Sequence, residues 1–332
     1  MRPYLSIVVP YYNNPEAIER LILSIAKSRK APSYELIVVD DGSKKEYSVD
    51  SKQFTEKLYK ILKTVNCELK TIRFLTNKGP AVARNRGVEA AKGIYVVFLD
   101  GDVEVFPDTL YEIGKVFRED PDVVALTGVW VKDQKSHNFF PNFKALRDWS
   151  YWINERDKSG YYYLFSTRIA SIKRLVFVRL GGFDEKYPAP LVEDIELTYR
   201  IARRYAIIFA PQVRVRHEFE AFWPVAKKYF LRAYYWTKLY RNRKKFDPVA
   251  TTLQEALTTV SGVGVVGLAG ISFIWPFGLI WVAFLVLHLF LIRKFLFFVS
   301  QEKGLLFAIQ SFFMGLVLYC FIFAGAVFGR VW

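Results

Sequence analysis

Residues 96–102 read Val96-Val97-Phe98-Leu99-Asp100-Gly101-Asp102. An apolar run of strand length stops at two carboxylates one residue apart. A buried strand ending this way delivers both acids to the carboxyl edge of a sheet, where open α/β sheets place their ligands. Two carboxylates there suit a hard divalent cation carrying a substrate phosphate. Asp and Gly are also ordinary turn residues, so the stretch alone leaves a simple turn open.

Upstream, the chain repeats one pattern. Leu5–Val9 is an apolar strand broken by Pro10-Tyr11-Tyr12-Asn13. Asn14 and Pro15 open a helix whose apolar face is Ile18, Leu21, Ile22 and Ile25. A second strand, Glu35–Val39, runs into Asp40-Asp41-Gly42-Ser43, and a polar helix follows over Phe54–Val65. A third strand, Leu69–Leu75, leads through Asn77-Lys78-Gly79-Pro80 to a helix ending near Ala91, and Ile94–Leu99 is the fourth strand. Strands alternating with helices at this spacing predict an α/β domain with a mostly parallel sheet. Further on, Pro107–Phe117 reads as a helix, Val123–Val131 as a strand and Ala206–Val215 as a strand pair. Residues 132–165 are irregular and aromatic, which fits a substrate-facing or membrane-facing insertion and equally fits aromatic packing under a loop.

The 332 residues carry a formal net charge of +15 and 17% aromatics, a high share for a soluble enzyme. Three scattered His and two distant Cys offer neither a His-rich metal site nor a disulfide framework. Eight basic residues and no acid lie between Lys227 and Lys245. Because that block precedes a long apolar region, anionic lipid headgroups fit it better than nucleic acid. The aromatic and basic mixture from Phe222 to Tyr240 suits an amphipathic helix in the membrane interface.

Residues 256–292 contain no Asp, Glu, Lys or Arg. As one helix they would reach roughly 55 Å, against about 30 Å of hydrocarbon. Trp275-Pro276-Phe277-Gly278 offers a turn, so two helices are expected, about 256–274 and 277–295, with a third over 305–328. A re-entrant hairpin in place of the first two stays open. The basic block, Arg293, Lys294 and Lys303 place the amino-terminal domain in the cytoplasm by the positive-inside rule, as does the start at Met1 without a leader. The expected domains are 1–220, 221–250 and 251–332. Gly262-Val263-Gly264-Val265-Val266-Gly267 matches a dinucleotide pattern but lacks its strand, helix and acid context. Gly262, Gly264, Gly267 and Gly270 instead suit close helix packing. His288, inside the second span, is a candidate for function or for a bond to a neighbouring helix.

Taken in order, Pro10-Tyr11-Tyr12-Asn13, Val38–Ser43, Ala83-Arg84-Asn85-Arg86-Gly87, Phe98–Asp102, Gly181-Gly182-Phe183-Asp184-Glu185 and Glu193-Asp194 resemble glycosyltransferase family 2, the inverting enzymes of GT-A fold. The resemblance covers residues 4 to about 220. It implies a nucleotide-diphospho-sugar donor and Mg²⁺ or Mn²⁺. Tyr12 would stack on the base with Pro10 beside it, and Asp41, assisted by Asp40, would accept from the base N–H. Lys78 and Arg84 would touch base or phosphate, a solvated helix face being the alternative. Asp102 would bind the metal, with Asp100 on the ribose or the metal's water shell. His217 would add a metal or phosphate contact or serve the fold alone. Asp194 would be the general base, with Glu193 as the substitute or as a helix cap. Gly181 and Gly182 would let the backbone approach the acceptor.

The processive synthases' Gln/Arg-x-x-Arg-Trp motif is met only by Arg232-Ala233-Tyr234-Tyr235-Trp236, which disfavours polymer synthesis. The expected enzyme is a multi-pass membrane glycosyltransferase acting on a lipid-linked hydroxyl, with no nucleic-acid partner and its oligomeric state open. Its rivals are a polyprenyl-phosphate glycosyltransferase and an inactive membrane scaffold.

Overall fold

A computed structural model describes residues 2–48, 52–63, 65, 67–155, 162–187, 191–248 and 252–331. In chain order the strands and helices are β1 (Leu5–Tyr11), α1 (Pro15–Ala26), β2 (Tyr34–Asp40), α2 (Lys52–Lys63), β3 (Glu68–Arg73), α3 (Pro80–Ala90), β4 (Tyr95–Leu99), β5 (Val103–Val105), α4 (Thr109–Glu119), β6 (Ala125–Trp130), α5 (Phe139–Ile153), β7 (Ile169–Lys173), α6 (Arg174–Arg179), α7 (Glu193–Ile201), β8 (Ile207–His217), α8 (Phe222–Arg243), α9 (Leu253–Leu268), α10 (Phe277–Lys303) and α11 (Leu305–Val331). Contacts divide the chain into two units, Met1–Val131 with Lys158–Glu218, and Lys132–Asp157 with Phe219–Trp332.

The first unit is an eight-stranded mixed sheet in the order β3-β2-β1-β4-β7-β6-β8-β5. The expected parallel half is present: β1 pairs with β2 and β4, and β2 with β3, all parallel. Strands β1, β2 and β4 are almost entirely buried, as their largely apolar runs require of a sheet covered on both faces. Asn14 caps α1 through its side chain, with Pro15 at the first turn.

The other half departs from the expectation. β7 runs antiparallel to both β4 and β6. The expected strand pair around Ala206–Val215 is one strand, β8, parallel to β6. The pairing of β6 with β8 shifts register between Thr127 and Val129. A Cβ on Gly128 would strike the Val213 carbonyl, so only glycine allows this approach. A short strand, β5, follows Asp102 at once and pairs antiparallel with β8, Val103 facing His217.

The second unit is helical. Residues 139–153 form a regular helix where irregular chain was expected. The aromatics of α5 pack within this unit: Trp149 stacks on Phe298 at 5.3 Å, and Phe139 meets Phe307 at 4.8 Å. Three helices, Leu253–Ile271, Phe277–Lys303 and Leu305–Val331, are long and apolar enough to cross a membrane. The second runs on to Lys303, so Arg293 and Lys294 are helical instead of lying in a loop.

Small residues set the packing of these helices. A Cβ on Gly264 would come within 2.5 Å of Phe284, and one on Gly262 within 3.0 Å of His288. Gly267 and Gly270 have nothing within 4 Å and serve no such contact. The closest approaches fall at Gly325 and Gly329, against the backbone carbonyls of Phe230 and Tyr234. His288 is fully buried, and its Nδ1 lies 2.9 Å from Ser261 Oγ.

Candidate functional site

Three loops meet at the carboxyl ends of β1, β2 and β3. Asp41 is buried, and its two oxygens accept from the backbone N–H groups of Lys78 (2.7 Å) and Gly79 (2.9 Å). Burial pushes its carboxyl up against the pull of those amides. Asp40 is fully buried; it accepts from Ser43 N at 2.8 Å and Ser48 Oγ at 2.9 Å. Ser43 Oγ accepts from Asn13 N at 2.9 Å, and Asn13 Oδ1 accepts from Lys44 N at 2.8 Å. Gly42 has φ +75°, and a Cβ there would come within 2.4 Å of the Thr76 backbone. The pair of acids thus holds the loops together, and Asp40 has no surface to offer a base. Over this platform Tyr12 is half exposed, whereas Tyr11 is buried and donates to the Tyr47 carbonyl. Burial, with Asp40 nearby, pushes the Tyr11 phenol up to about 12. The Lys78 ammonium lies 5.2 Å from the Phe74 ring. The Pro10 carbonyl is 3.0 Å from where a Cβ on Gly101 would be, which brings the first loop against the Asp100-Gly101-Asp102 turn.

The two acids of that turn have different surroundings. Asp100 Oδ1 accepts from Arg84 at 2.7 Å, and the other arm of Arg84 reaches Glu193 Oε1 at 2.9 Å. Arg84 is 2% exposed. It is therefore an internal tie between α3, the end of β4 and the start of α7, and the solvated helix face open to it in the sequence is excluded. Burial alone would disfavour its charge, but Asp100 and Glu193 outweigh that and raise its pKa above the usual value. Glu193 is buried too, and its second oxygen accepts from Leu191 N at 2.9 Å. Both its oxygens are thus engaged inside the fold. Asp194 is half-buried on the first turn of α7, where Oδ1 accepts from Ile195 N at 2.8 Å.

Asp102 is open. Its side chain is 49% exposed and lies 3.5 Å from His217 Nε2. The β5–β8 ladder makes this pair, since Val103 faces His217. Among the described residues no three His, Cys, Asp or Glu side chains converge on a metal position. A carboxylate and an imidazole that close still suit a Mg²⁺ or Mn²⁺ site of the kind completed by substrate phosphate and water.

Sequence reasoning missed Asn85. Its side chain accepts from Phe183 N and donates to Phe183 O and Glu185 Oε1, each at 2.9 Å. Gly182, at φ +69°, would place a Cβ 2.5 Å from Asn85 Oδ1. Gly182 is thus required by Asn85 and by backbone conformation. Gly181 has open space around it.

Residues 6–175, just over half of the chain, match the family model described as Glycosyl transferase family 2. Escherichia coli (strain K12) has a similar protein, the uncharacterized glycosyltransferase YibD, 32% identical over 130 residues, which are 38% of this chain and 34% of that protein. The pre-mycofactocin glycosyltransferase of Mycobacterium tuberculosis (strain ATCC 25618 / H37Rv) is 29% identical over 221 residues, 64% of this chain and 42% of that one. The chain therefore spans well under two thirds of these relatives. Among solved structures, the mannosyltransferase PcManGT of Pyrobaculum calidifontis, in complex with GDP-Man and Mn²⁺, superposes with a TM-score of 0.59 at 19% identity, over 99% of this chain and 88% of that one.

Proposed function

This chain belongs to glycosyl transferase family 2, and from that premise we propose that it is a membrane-anchored, inverting transferase. It takes a sugar from a nucleotide-diphospho-sugar and moves it to a hydroxyl of a lipid-linked acceptor at the cytoplasmic face. The observation that carries this reading is the open Asp102 carboxylate beside His217 at the edge where the three base-side loops meet.

Tyr12 supplies a ring for the base, and Asp41 has lone pairs left for its N–H. Asp102 and His217 would hold Mg²⁺ or Mn²⁺, which supplies Lewis-acid stabilisation to the departing diphosphate. PcManGT is a structure with a nucleotide sugar and Mn²⁺ on the same fold. Asp194 takes the proton of the acceptor hydroxyl as its oxygen bonds to the anomeric carbon and the bond to the diphosphate breaks. Attack opposite the leaving group inverts the centre. Arg84 ties Glu193, the residue before Asp194, to Asp100, which supports a role for Asp194 near that turn. The three apolar helices and the basic α8 favour an acceptor presented at a bilayer.

The test is Mn²⁺-dependent hydrolysis of a panel of nucleotide sugars by the full chain in detergent. Wild type should turn over at least one donor, and Asp102→Ala should lose that turnover. Asp194→Asn should keep donor binding and lose transfer to a hydroxyl. Full activity of Asp194→Asn toward a polyprenyl phosphate would shift the reading to a phosphate acceptor, which needs no base.

A further inference from the structure

We propose that Arg84 is a positioning residue that couples occupancy of the donor edge to the first turn of α7, an inference that rests on the transferase reading above and deepens it. The guanidinium is split between two acids. One arm meets Asp100 Oδ1 at 2.7 Å and the other meets Glu193 Oε1 at 2.9 Å. A guanidinium can clasp one carboxylate with two parallel bonds, but here each carboxylate receives one. Arg84 Nε is buried without a hydrogen-bond partner among the described residues. The Phe183 ring lies 5.6 Å from the guanidinium carbon, and Asn85 clamps the backbone of Phe183. No third hydrogen bond therefore opposes a small shift of the guanidinium from one acid toward the other.

The two ends of this tie are unequal. The Arg84 and Glu193 side chains are 2% and 3% exposed, whereas that of Asp100 is 28% exposed. Of the three, Asp100 alone offers a ligand any surface, and it follows β4 at the carboxyl edge of the sheet. The inner end acts on the chain around Asp194. Glu193 Oε2 accepts from Leu191 N at 2.9 Å, and Glu193 and Asp194 share the first turn of α7.

A hydroxyl or cation that binds the Asp100 carboxylate competes with Arg84 for its charge. The guanidinium then leans on Glu193, because a buried charge left unpaired is costly. Glu193 is held more firmly, and with it the turn that carries Asp194. Coupling of this kind is reciprocal. A weaker Glu193 end returns Arg84 to Asp100 and makes the edge harder to occupy.

Two measurements on the full chain in detergent test this, with GDP and UDP in Mn²⁺ as the probes. Backbone hydrogen exchange over 191–197 should slow about 5-fold or more in wild type saturated with the tighter nucleotide. The slowing should be absent from Arg84→Lys saturated with the same nucleotide, since lysine keeps the charge without the forked pair of arms. Glu193→Gln should weaken that nucleotide by about the same 5-fold factor in the wild-type background and leave its affinity unchanged in the Arg84→Lys background. An equal loss in both backgrounds is a plain effect of charge and overturns the inference, as does wild-type exchange over 191–197 that nucleotide does not alter. Glu35→Gln controls for stability alone. Glu35 is buried at the start of β2 and bonded to Lys70, so this variant should lower Tm and leave both readouts at the wild-type values. A matching loss of affinity in Glu35→Gln would assign the effect to stability and overturn the inference too. Wild type that binds neither nucleotide overturns the transferase reading itself, and the inference with it.

Discussion

Asp100 and Asp102 are separated by one glycine and belong to different regions of the protein. Asp100 is tied to Arg84, which is tied in turn to Glu193, and the whole bridge is closed to water on its Arg84 and Glu193 side. Asp102 has half its side chain in solvent and a histidine at 3.5 Å. The difference teaches that a motif of two like residues can divide its labour. One acid braces the frame that holds α3, β4 and α7 together, and the other keeps half its side chain in solvent beside His217. The same split recurs among the other candidates. Asp40, Glu193 and Arg84 are internal, whereas Tyr12 and Asp102 face out.

The sharpest way to break this comparison is to remove the brace. Arg84→Met should cost about 3–5 kcal/mol, because it leaves Glu193 and Asp100 without their partner in a buried setting. Chemical denaturation of the full chain would read this as a lower midpoint. In a double-mutant cycle with Glu193→Gln, the pair should lose much less than the sum of the singles. Additive losses would mean that the bridge carries no coupling.

A second brace lies at the opposite edge of the sheet and adds a pH signature. Glu35 is 1% exposed and accepts from Ser6 Oγ and Lys92 N at 2.6 Å and from Lys70 Nζ at 2.5 Å. Burial alone would raise its carboxyl, but these bonds and the Lys70 charge outweigh it and hold the pKa below the usual value. The sign follows: the folded form binds the proton more weakly than the unfolded one. The stabilisation is therefore complete above the unfolded carboxylate pKa of about 4.3 and is lost as pH falls through the lower folded value. Glu35→Gln should cost about 2 kcal/mol at neutral pH. Its loss relative to wild type should shrink in acid, as measured by Tm against pH.

Two adjacent glycines give a finer contrast. Gly182→Ala meets Asn85 at 2.5 Å from a left-handed backbone, whereas Gly181→Ala, at φ +83°, meets nothing. Conformational strain of about 1–2 kcal/mol applies to both. Gly182→Ala should therefore be the more damaging by the contact with Asn85, and equal Tm losses would remove Asn85 from the account.

Strands β1, β2 and β4 of the parallel half were legible in the sequence because they are largely apolar runs that meet Pro or Asp. The same signal placed Asp40, Asp41, Asp100 and Asp102 at one edge. What periodicity could not carry was partnership. Nothing in Ala83–Gly87 says that Arg84 points inward to two acids while Asn85 clamps a loop 98 residues away. The strand Ile169–Lys173 is five residues long and antiparallel, a pairing that depends on contacts distant in sequence. The three-residue β5 is too short for any periodic signal, yet it is the element that sets Asp102 beside His217. In the helical unit, apolar length located all three candidate spans. It did not find α5, whose aromatics Phe139, Phe143 and Trp149 pack against α10 and α11.

The smallest stability effect belongs to the residue with the largest expected effect on turnover. Asp102→Asn alters a side chain that is 49% exposed, so its unfolding free energy without ligand should stay within about 0.5 kcal/mol of wild type. Mn²⁺ together with the preferred nucleoside diphosphate should raise the Tm of the wild type, since a ligand bound only by the folded state adds stability. The variant should show a much smaller rise. A large ligand-free loss in Asp102→Asn would make Asp102 a brace like Asp100, and the two acids would then no longer differ in kind.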